Sequence, residues 1–211
     1  MKSSALKQAA NKPARRRPQQ KRSIEKVEKI LDAARKILEN EGPSAFNTNL
    51  IAERAGISVG TLYEYFQNKE AIASRLNEEL AAAESDIIME MFRETEDTSL
   101  EDSIANIVSL TFELYRENGA MYRALAAIST HNRKFVGTRK SEKLIMDAIA
   151  SKLEKSLTRI KISDIETATF VIFHSVESLA YFSVSPGGSN GAKSEMPSEV
   201  SKVVTRYLGI E

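Results

Sequence analysis

The stretch Thr48-Asn-Leu-Ile-Ala-Glu-Arg-Ala-Gly-Ile-Ser-Val-Gly-Thr-Leu-Tyr-Glu-Tyr-Phe66 decides the fold. Its apolar residues follow helical spacing on both sides of Gly56, a residue that can adopt the positive φ of a tight turn. Ser58 is placed to cap the second helix, and the small Ala52 lets the two helices approach closely. This spacing is typical of a helix-turn-helix. A second helix with an outward polar face fits the major groove of B-DNA.

Apolar residues recur at intervals of three and four almost everywhere else, and no segment alternates with a period of two. The pattern predicts an all-α protein with about nine helices. Ser23 is expected to cap the first helix, and Asn118-Gly119 is expected to separate one helix from a shorter one over about 120–130. Further helices are predicted over about 134–158, 163–183 and 197–208.

Three parts of the chain are expected: a basic flexible arm (1–22), a helix-turn-helix DNA-binding domain (23–69) and a helical body (70–211). The arm carries eight Lys and Arg residues and no acid, which gives it a charge of +8, whereas the other 189 residues sum to −7. A basic arm on an acidic body is expected of a chain that meets a polyanion at one end. A solvated leader without a partner remains the alternative.

Composition narrows the class of protein further. The 211 residues are 42% hydrophobic, which is enough for a sizeable core and excludes a wholly disordered chain. The absence of cysteine excludes a disulfide scaffold and fits a reducing compartment. We find no secretory signal and no apolar run near the roughly 18 residues that cross a bilayer. A soluble, cytoplasmic protein without membrane contact is therefore expected.

The segment from Ile51 to Glu70 resembles the DNA-binding signature of the TetR (tetracycline-repressor-like) family, and the resemblance extends over about residues 23 to 72. A glycine, two tyrosines, a phenylalanine and a lysine at fixed offsets carry it. The resemblance implies base or phosphate contacts from the recognition helix and further contacts to the phosphate backbone. Gly60, Thr61 and Tyr63 are the implied base or phosphate contacts of the recognition helix. Ser58, Tyr65 and Lys69 are the implied further contacts to the phosphate backbone.

Three positions depart from the family pattern. Asn47 stands where the family often has Thr, and we expect it to keep the role of capping the helix and donating to phosphate. Thr48 stands where the family usually has an apolar residue, which predicts looser packing under this helix. Val59 replaces a polar or basic residue, so it can touch a thymine methyl group but reads no base by hydrogen bonding.

The sequence leaves open whether three aromatic residues of the helix-turn-helix segment are buried or exposed. The aromatic residues Tyr63, Tyr65 and Phe66 are either core residues or exposed ones. Phe66 follows the apolar phase, whereas the two tyrosines lie off it, which favours exposure. Arg15, Arg16 and Arg17 are expected to reach the minor groove or flanking phosphates, as basic arms on helix-turn-helix domains do.

The resemblance implies that the rest of the chain binds a small molecule and forms a two-fold dimer. The helix over 163–183 supports this independently, because it is apolar on two faces and must be buried on both. A homodimer through this helix and the helix over 197–208 is expected, with the central helix of a monomeric bundle as the alternative. Such a dimer reads two halves of a pseudo-palindromic operator in double-stranded DNA.

Flexible and aromatic side chains are candidates for an apolar ligand pocket, although such residues at helical spacing are often ordinary core. His174 and Glu177 share a helix face and either orient a polar ligand group or form a satisfied buried pair, the interpretation we favour. No cofactor is expected, and no metal, because no His, Asp and Glu cluster has ligand spacing. The candidate ligand-binding residues are Phe92, Phe112, Tyr115, Tyr122, Met146, Phe170, His174 and Glu177.

The sequence favours a sequence-specific transcriptional regulator, a repressor released from its operator by a small molecule. An architectural protein that organises the nucleoid without an inducer is the alternative, and steep salt dependence with weak sequence discrimination would distinguish it. An enzyme is rejected, since the sequence contains no nucleophile elbow and no Walker loop. The glycine-rich segment at 187–191 follows a predicted helix and reads as a linker.

Overall fold

The protein is a bundle of α-helices in two connected parts. The structure is a computed structural model that describes residues 16–128, 139–184 and 195–210, with only the backbone of residues 16–21. No strand occurs within these ranges, so the all-α prediction is confirmed. The helices are α1 (Arg16–Asn40), α2 (Thr48–Ala55), α3 (Val59–Tyr65), α4 (Lys69–Glu94), α5 (Leu100–Ile128), α6 (Arg139–Glu154), α7 (Ile165–Val184) and α8 (Met196–Leu208).

The first three helices and the beginning of α4 enclose one apolar core, which we call the head core. Ile30 and Ile37 of α1 lie against Phe46, in the connection from α1 to α2, and all three side chains are almost completely buried. Ile72 and Leu76 extend this core into the first turns of α4. The head is therefore not separable from α4.

The C-terminal end of α5 also packs into the head core. Ala124, Leu125 and Ile128 are buried there, with Met121 packed against them. The preceding turns of α5 belong to a second core, formed with α6, α7 and α8, which we call the body core. Two helices, α4 and α5, thus extend from the body into the head.

Helix α5 is continuous through Asn118 and Gly119, so the predicted helix end at this point is wrong. Gly119 is buried and does not have a positive φ. A Cβ atom on it would lie 3.1 Å from the Cβ of Val184, at the end of α7. The glycine therefore serves close packing of two helices, and that need outweighs its local tendency to end a helix.

The ends of two other helices also differ from the prediction. Helix α1 begins at Arg16, and Ser23 lies inside it. Pro18 is tolerated because the first turn of a helix has no partner for its N–H groups, and the residues that follow are good helix formers. Helix α7 is capped by Asp164 instead of Ser163, because the Asp164 Oδ1 accepts a hydrogen bond from the Thr167 N–H at 3.0 Å.

The described part of the chain gives no indication of a membrane segment: none of its helices has the length and apolar content that crossing a bilayer requires.

Candidate DNA-binding and ligand-binding sites

The turn between α2 and α3 is defined by local hydrogen bonds. The side chain of Asn47 accepts a bond from the Leu50 N–H at 2.9 Å, which caps α2, and the Ser58 Oγ accepts one from the Thr61 N–H at 3.1 Å, which caps α3. Between them Gly56 adopts φ 68° and ψ 34°, the left-handed conformation that a glycine tolerates best. The Ser58 capping bond was predicted from the sequence, and the structure confirms it.

Packing fixes the angle between the two helices. Ile51 and Ala52 of α2 and Leu62 of α3 have no accessible surface, so their apolar faces meet in the head core. Because these side chains fill the inner face, the remaining residues of α3 lie on its outer side or at its edge.

The outer face of α3 presents a tyrosine that is held in place. The Tyr63 side chain is 51% exposed, and its hydroxyl lies 3.1 Å from the Thr48 Oγ1 at the start of α2. Thr48 thus makes a polar contact with α3 where the sequence suggested only looser packing. This bond restricts a large side chain that has no packing role inside the protein.

Gly60, also on the outer face, leaves the backbone accessible. It is exposed, and a Cβ atom there would meet only the Ser58 Oγ, at 3.8 Å. The internal packing of the protein does not require a glycine at this position. A glycine at this point permits the close approach of an external partner to the backbone of α3.

The other predicted DNA contacts lie at the edges of this surface. Thr61 is half-buried, and its hydroxyl is 2.9 Å from that of Ser58. Tyr65 is half-buried as well, under the Lys26 ammonium at 6.0 Å from its ring centre. Val59 packs against the head core.

Lys69 is the first residue of α4 and is half-buried. Its neighbour Asn68 caps this helix, because the Asn68 Oδ1 accepts a hydrogen bond from the Ala71 N–H at 2.8 Å. Asn47 is exposed. Arg15 lies outside the described residues. Arg16 and Arg17 form the start of α1, and the positions of their side chains lie outside the description as well.

A cavity of about 100 Å³ lies between helices α4 to α8. Three of the predicted ligand-binding residues line it: Phe92, Tyr115 and Glu177. Phe112 and Tyr122 are buried in the body core beside the cavity, and neither lines it. Met146 is half-buried and does not line it either.

Phe170 and His174 lie on the other side of α7. Phe170 is 57% exposed, and its ring lies 4.2 Å from that of His174, between ring centres. Neither residue lines the cavity, because Ile172, Phe173 and Val176 occupy the face of α7 that turns toward it. The sequence shows two apolar faces on this helix but not which of them faces inward.

Glu84 lines the cavity and was not predicted from the sequence. Its Oε1 accepts a hydrogen bond from the Asn118 Nδ2 at 2.8 Å, and its other oxygen accepts one from the Tyr122 hydroxyl. Burial raises the pKa of Glu84, although these two bonds act in the opposite direction. The available signal is that this acid lies in phase with the buried Ala81 and Ile88 on α4.

Glu177 also lines the cavity, and Glu142 of α6 is a third carboxyl group in its wall. The Tyr115 hydroxyl donates to Glu177 at 3.1 Å. Burial is the main cause that raises its pKa to about 7, and the negative charges of Glu142 and Glu84 add to the effect. In turn, burial and the nearby carboxylates raise the pKa of the Tyr115 hydroxyl. The described residues contain no cluster of three or more acidic or histidine side chains arranged to hold a metal ion.

Helices α7 and α8 expose a large apolar surface. Phe170 and Phe182 on α7 and Val203 on α8 are each more than half exposed. Leu179 and Tyr207 are also accessible, at 39% and 38%. Monomeric proteins rarely leave so many large apolar side chains in solvent, so this face is a candidate protein interface.

A helix-turn-helix head joined to a helical body with an internal cavity defines a class of DNA-binding regulatory proteins. The chain belongs to the TetR family: residues 30–76 match the family model "Bacterial regulatory proteins, tetR family", and residues 99–208 match "Tetracyclin repressor-like, C-terminal domain".

Curated relatives match only part of this chain. A protein of Mycobacterium tuberculosis described as an uncharacterized HTH-type transcriptional regulator is 33% identical over 70 residues, which cover 29% of this chain and 35% of that protein. The shared segment thus spans about a third of the length of that relative.

Solved structures share the fold over most of its length. The fatty acid degradation regulator FadR of Bacillus halodurans superposes with a TM-score of 0.60 at 20% identity, over 85% of this chain and 94% of that one. FadR of Bacillus subtilis, solved in complex with stearoyl-CoA, gives a TM-score of 0.62 at 18% identity, over 85% and 97% of the two chains. At these identities the similarity supports the shared architecture alone.

Proposed function

We propose that this protein is a sequence-specific DNA-binding transcriptional regulator, a repressor that a small-molecule ligand releases from its operator. The observation that carries the proposal is the outer face of α3. There the exposed Tyr63 is held by Thr48 next to the accessible backbone of Gly60, and no internal packing explains either residue. A partner outside the protein explains both.

The proposed contacts follow from this face. Gly60, Thr61 and Tyr63 read the major groove, while Asn47, Ser58 and Lys69 contact phosphates, the last beside the N-terminus of α4. Tyr65 and Val59 lie at the edges of the surface, and Thr48 acts by holding Tyr63. Arg15, Arg16 and Arg17 in the arm are proposed to reach flanking DNA.

The functional protein is proposed to be a homodimer through α7 and α8. Their exposed apolar side chains, including Phe182 and Val203, support this assignment because association would remove them from water. A two-fold dimer presents two recognition helices roughly 34–36 Å apart, which suits a pseudo-palindromic operator.

Ligand binding is proposed to act through both helices that connect body and head. Helix α4 carries Glu84 in the cavity and Lys69 at its first turn, and α5 carries Tyr115 in the cavity and Leu125 in the head core. A shift of either helix changes the distance between the recognition helices, α3, of the two subunits. A coupling of about 1–3 kcal/mol lowers DNA affinity about 5- to 150-fold.

The DNA-binding proposal is tested with the variants Tyr63→Phe and Lys69→Ala, with Lys143→Ala as the control. Lys143 pairs with Asp147 on α6, far along the chain from the reading head. Affinity for the operator is measured by fluorescence anisotropy over a range of salt concentrations.

We expect Lys69→Ala to weaken binding about tenfold and to reduce the slope of log affinity against log salt by about 1 per subunit. The control should bind like the wild type. Unchanged binding by both head variants would contradict the assignment of the reading head. Equal affinity of the wild type for operator and scrambled DNA would instead favour an architectural protein.

A further inference from the structure

The walls of the cavity are apolar except at a few points. Side chains such as Ile88, Val108 and Ile172 make up most of its surface. Into this environment α4 contributes Glu84, α6 contributes Glu142 and α7 contributes Glu177. Carboxylates are rarely placed against apolar walls without a partner of opposite charge, because their desolvation is costly.

The hydrogen bonds to Glu84 and Glu177 come from uncharged donors. Tyr122 and Asn118 donate to Glu84, and Tyr115 donates to Glu177. These bonds orient the carboxylate oxygens, but they do not neutralise the negative charge.

Lys152 also lines the cavity but serves another purpose. Its ammonium group donates to the carbonyl oxygens of Thr95, at 2.5 Å, and Glu96, at 3.1 Å, in the connection between α4 and α5. The charges that act on its pKa are those of Lys155, Glu96 and Asp97, whereas none of the three cavity glutamates is among them. The lysine is thus engaged elsewhere and is not the counter-ion of Glu84 and Glu177.

Aromatic rings connect the two carboxyl groups. The rings of Tyr115 and Tyr122 stack with their centres 4.7 Å apart, and each hydroxyl donates to one of the glutamates. The ring of Tyr181 meets that of Tyr115 edge-on at 6.4 Å. Carboxylates beside aromatic rings in an apolar enclosure form the environment that favours an organic cation.

We propose that the cavity binds a small organic cation with an apolar body, whose positive group lies against Glu84 and Glu177. This inference rests on the proposed ligand-responsive function and specifies its ligand class. The volume of about 100 Å³ restricts the ligand to a compact molecule no larger than benzene, since a cavity of about 150 Å³ holds benzene. An anionic ligand would bring a negative charge against two carboxylates and is disfavoured.

The test uses three probes that share an isopropyl group, are no larger than benzene and differ in charge: isopropylammonium, isopropanol and isobutyrate. Isothermal titration calorimetry at about pH 8 measures each against the full-length protein without DNA, because the pKa of Glu177, about 7, leaves it ionised there. We expect isopropylammonium to bind at least about tenfold more tightly than isopropanol, and isobutyrate to bind most weakly.

The double variant Glu84→Gln/Glu177→Gln should lose this preference, because its amide oxygens still accept the tyrosine hydrogen bonds but carry no charge. Glu113→Gln is the matched control, since Glu113 is exposed on α5 and pairs with Arg116 at 2.9 Å. Unchanged circular dichroism establishes that the variants are folded. Equal affinities, tighter binding of isobutyrate, an unaltered preference in the double variant, or no binding of any probe would each overturn the inference.

The same probes, added to the protein–operator complex in the anisotropy assay, separate this inference from the proposed function. Release by isopropylammonium alone supports both. Release by isopropanol or isobutyrate supports the proposed function and overturns the cationic class. Calorimetric binding of isopropylammonium without release supports the ligand class and contradicts its role as inducer.

Discussion

The substitution Glu177→Gln is predicted to make stability less dependent on pH. The folded protein raises the pKa of this carboxyl from 4.5 to about 7, chiefly by burial. The groups that face it are Tyr115 from α5, Glu84 from α4 and Glu142 from α6, with His174 one turn away on α7. Tyr115, Glu84 and Glu142 carry no positive charge at any pH, so they do not compensate a negative charge on Glu177.

The direction of the pH dependence follows from which state, folded or unfolded, binds the proton of Glu177 more tightly. The pKa of Glu177 is higher in the folded state, so its protonation stabilises the folded protein. This contribution is fully present below about pH 4.5 and is lost as the pH rises through about 7. One pKa unit corresponds to about 1.4 kcal/mol, so the loss approaches about 3 kcal/mol. Glutamine carries no charge at any pH and avoids this loss.

Thermal unfolding, followed by circular dichroism from about pH 5 to pH 8.5, measures the difference between wild type and variant. The two melting temperatures should nearly coincide at the acidic end. Above about pH 8 the variant should melt roughly 6–12 °C higher, as expected for a chain of this length. Since both proteins share all other titrating groups, parallel curves would refute the assignment of a buried, uncompensated carboxyl to Glu177.

Three further predictions concern the head, the helix contact and the dimer. Tyr63→Phe removes the bond to Thr48 and should lower operator affinity about tenfold while costing under about 1 kcal/mol of stability, measured by anisotropy and urea unfolding. Gly119→Val should destabilise the protein by about 1–3 kcal/mol in the same unfolding assay, because even a Cβ atom there would lie 3.1 Å from Val184. Val203→Glu, at a position 61% exposed in the single chain, should yield monomers in analytical ultracentrifugation. A variant that stays dimeric would contradict the assigned interface.

The helix-turn-helix of α2 and α3 could be predicted from sequence because its geometry depends on residues close together in the chain. The φ of Gly56 and the capping bonds of Asn47 and Ser58 each involve residues within a few positions of one another. Local patterns therefore sufficed to predict both helices and the turn. The contact of Thr48 with Tyr63 was missed, because it joins residues 15 positions apart.

Features that depend on distant packing were not predictable. Asn118-Gly119 carries a local signal for a helix end, but contact with Val184, 65 positions later, keeps α5 continuous. Glu84 gains its role only because α5 brings Asn118 and Tyr122 against it. A single sequence does not show which residues of different helices will meet.

The most direct test of the central claim is a selection of genomic DNA fragments from the source bacterium by the purified protein, followed by anisotropy with the enriched fragments. The account predicts a fragment that contains a pseudo-palindrome and binds at least about 10³-fold more tightly than scrambled DNA at physiological salt. It also predicts that Tyr63→Phe weakens that binding. If no fragment is enriched and every duplex binds equally, the protein is not a sequence-specific regulator and the account is wrong.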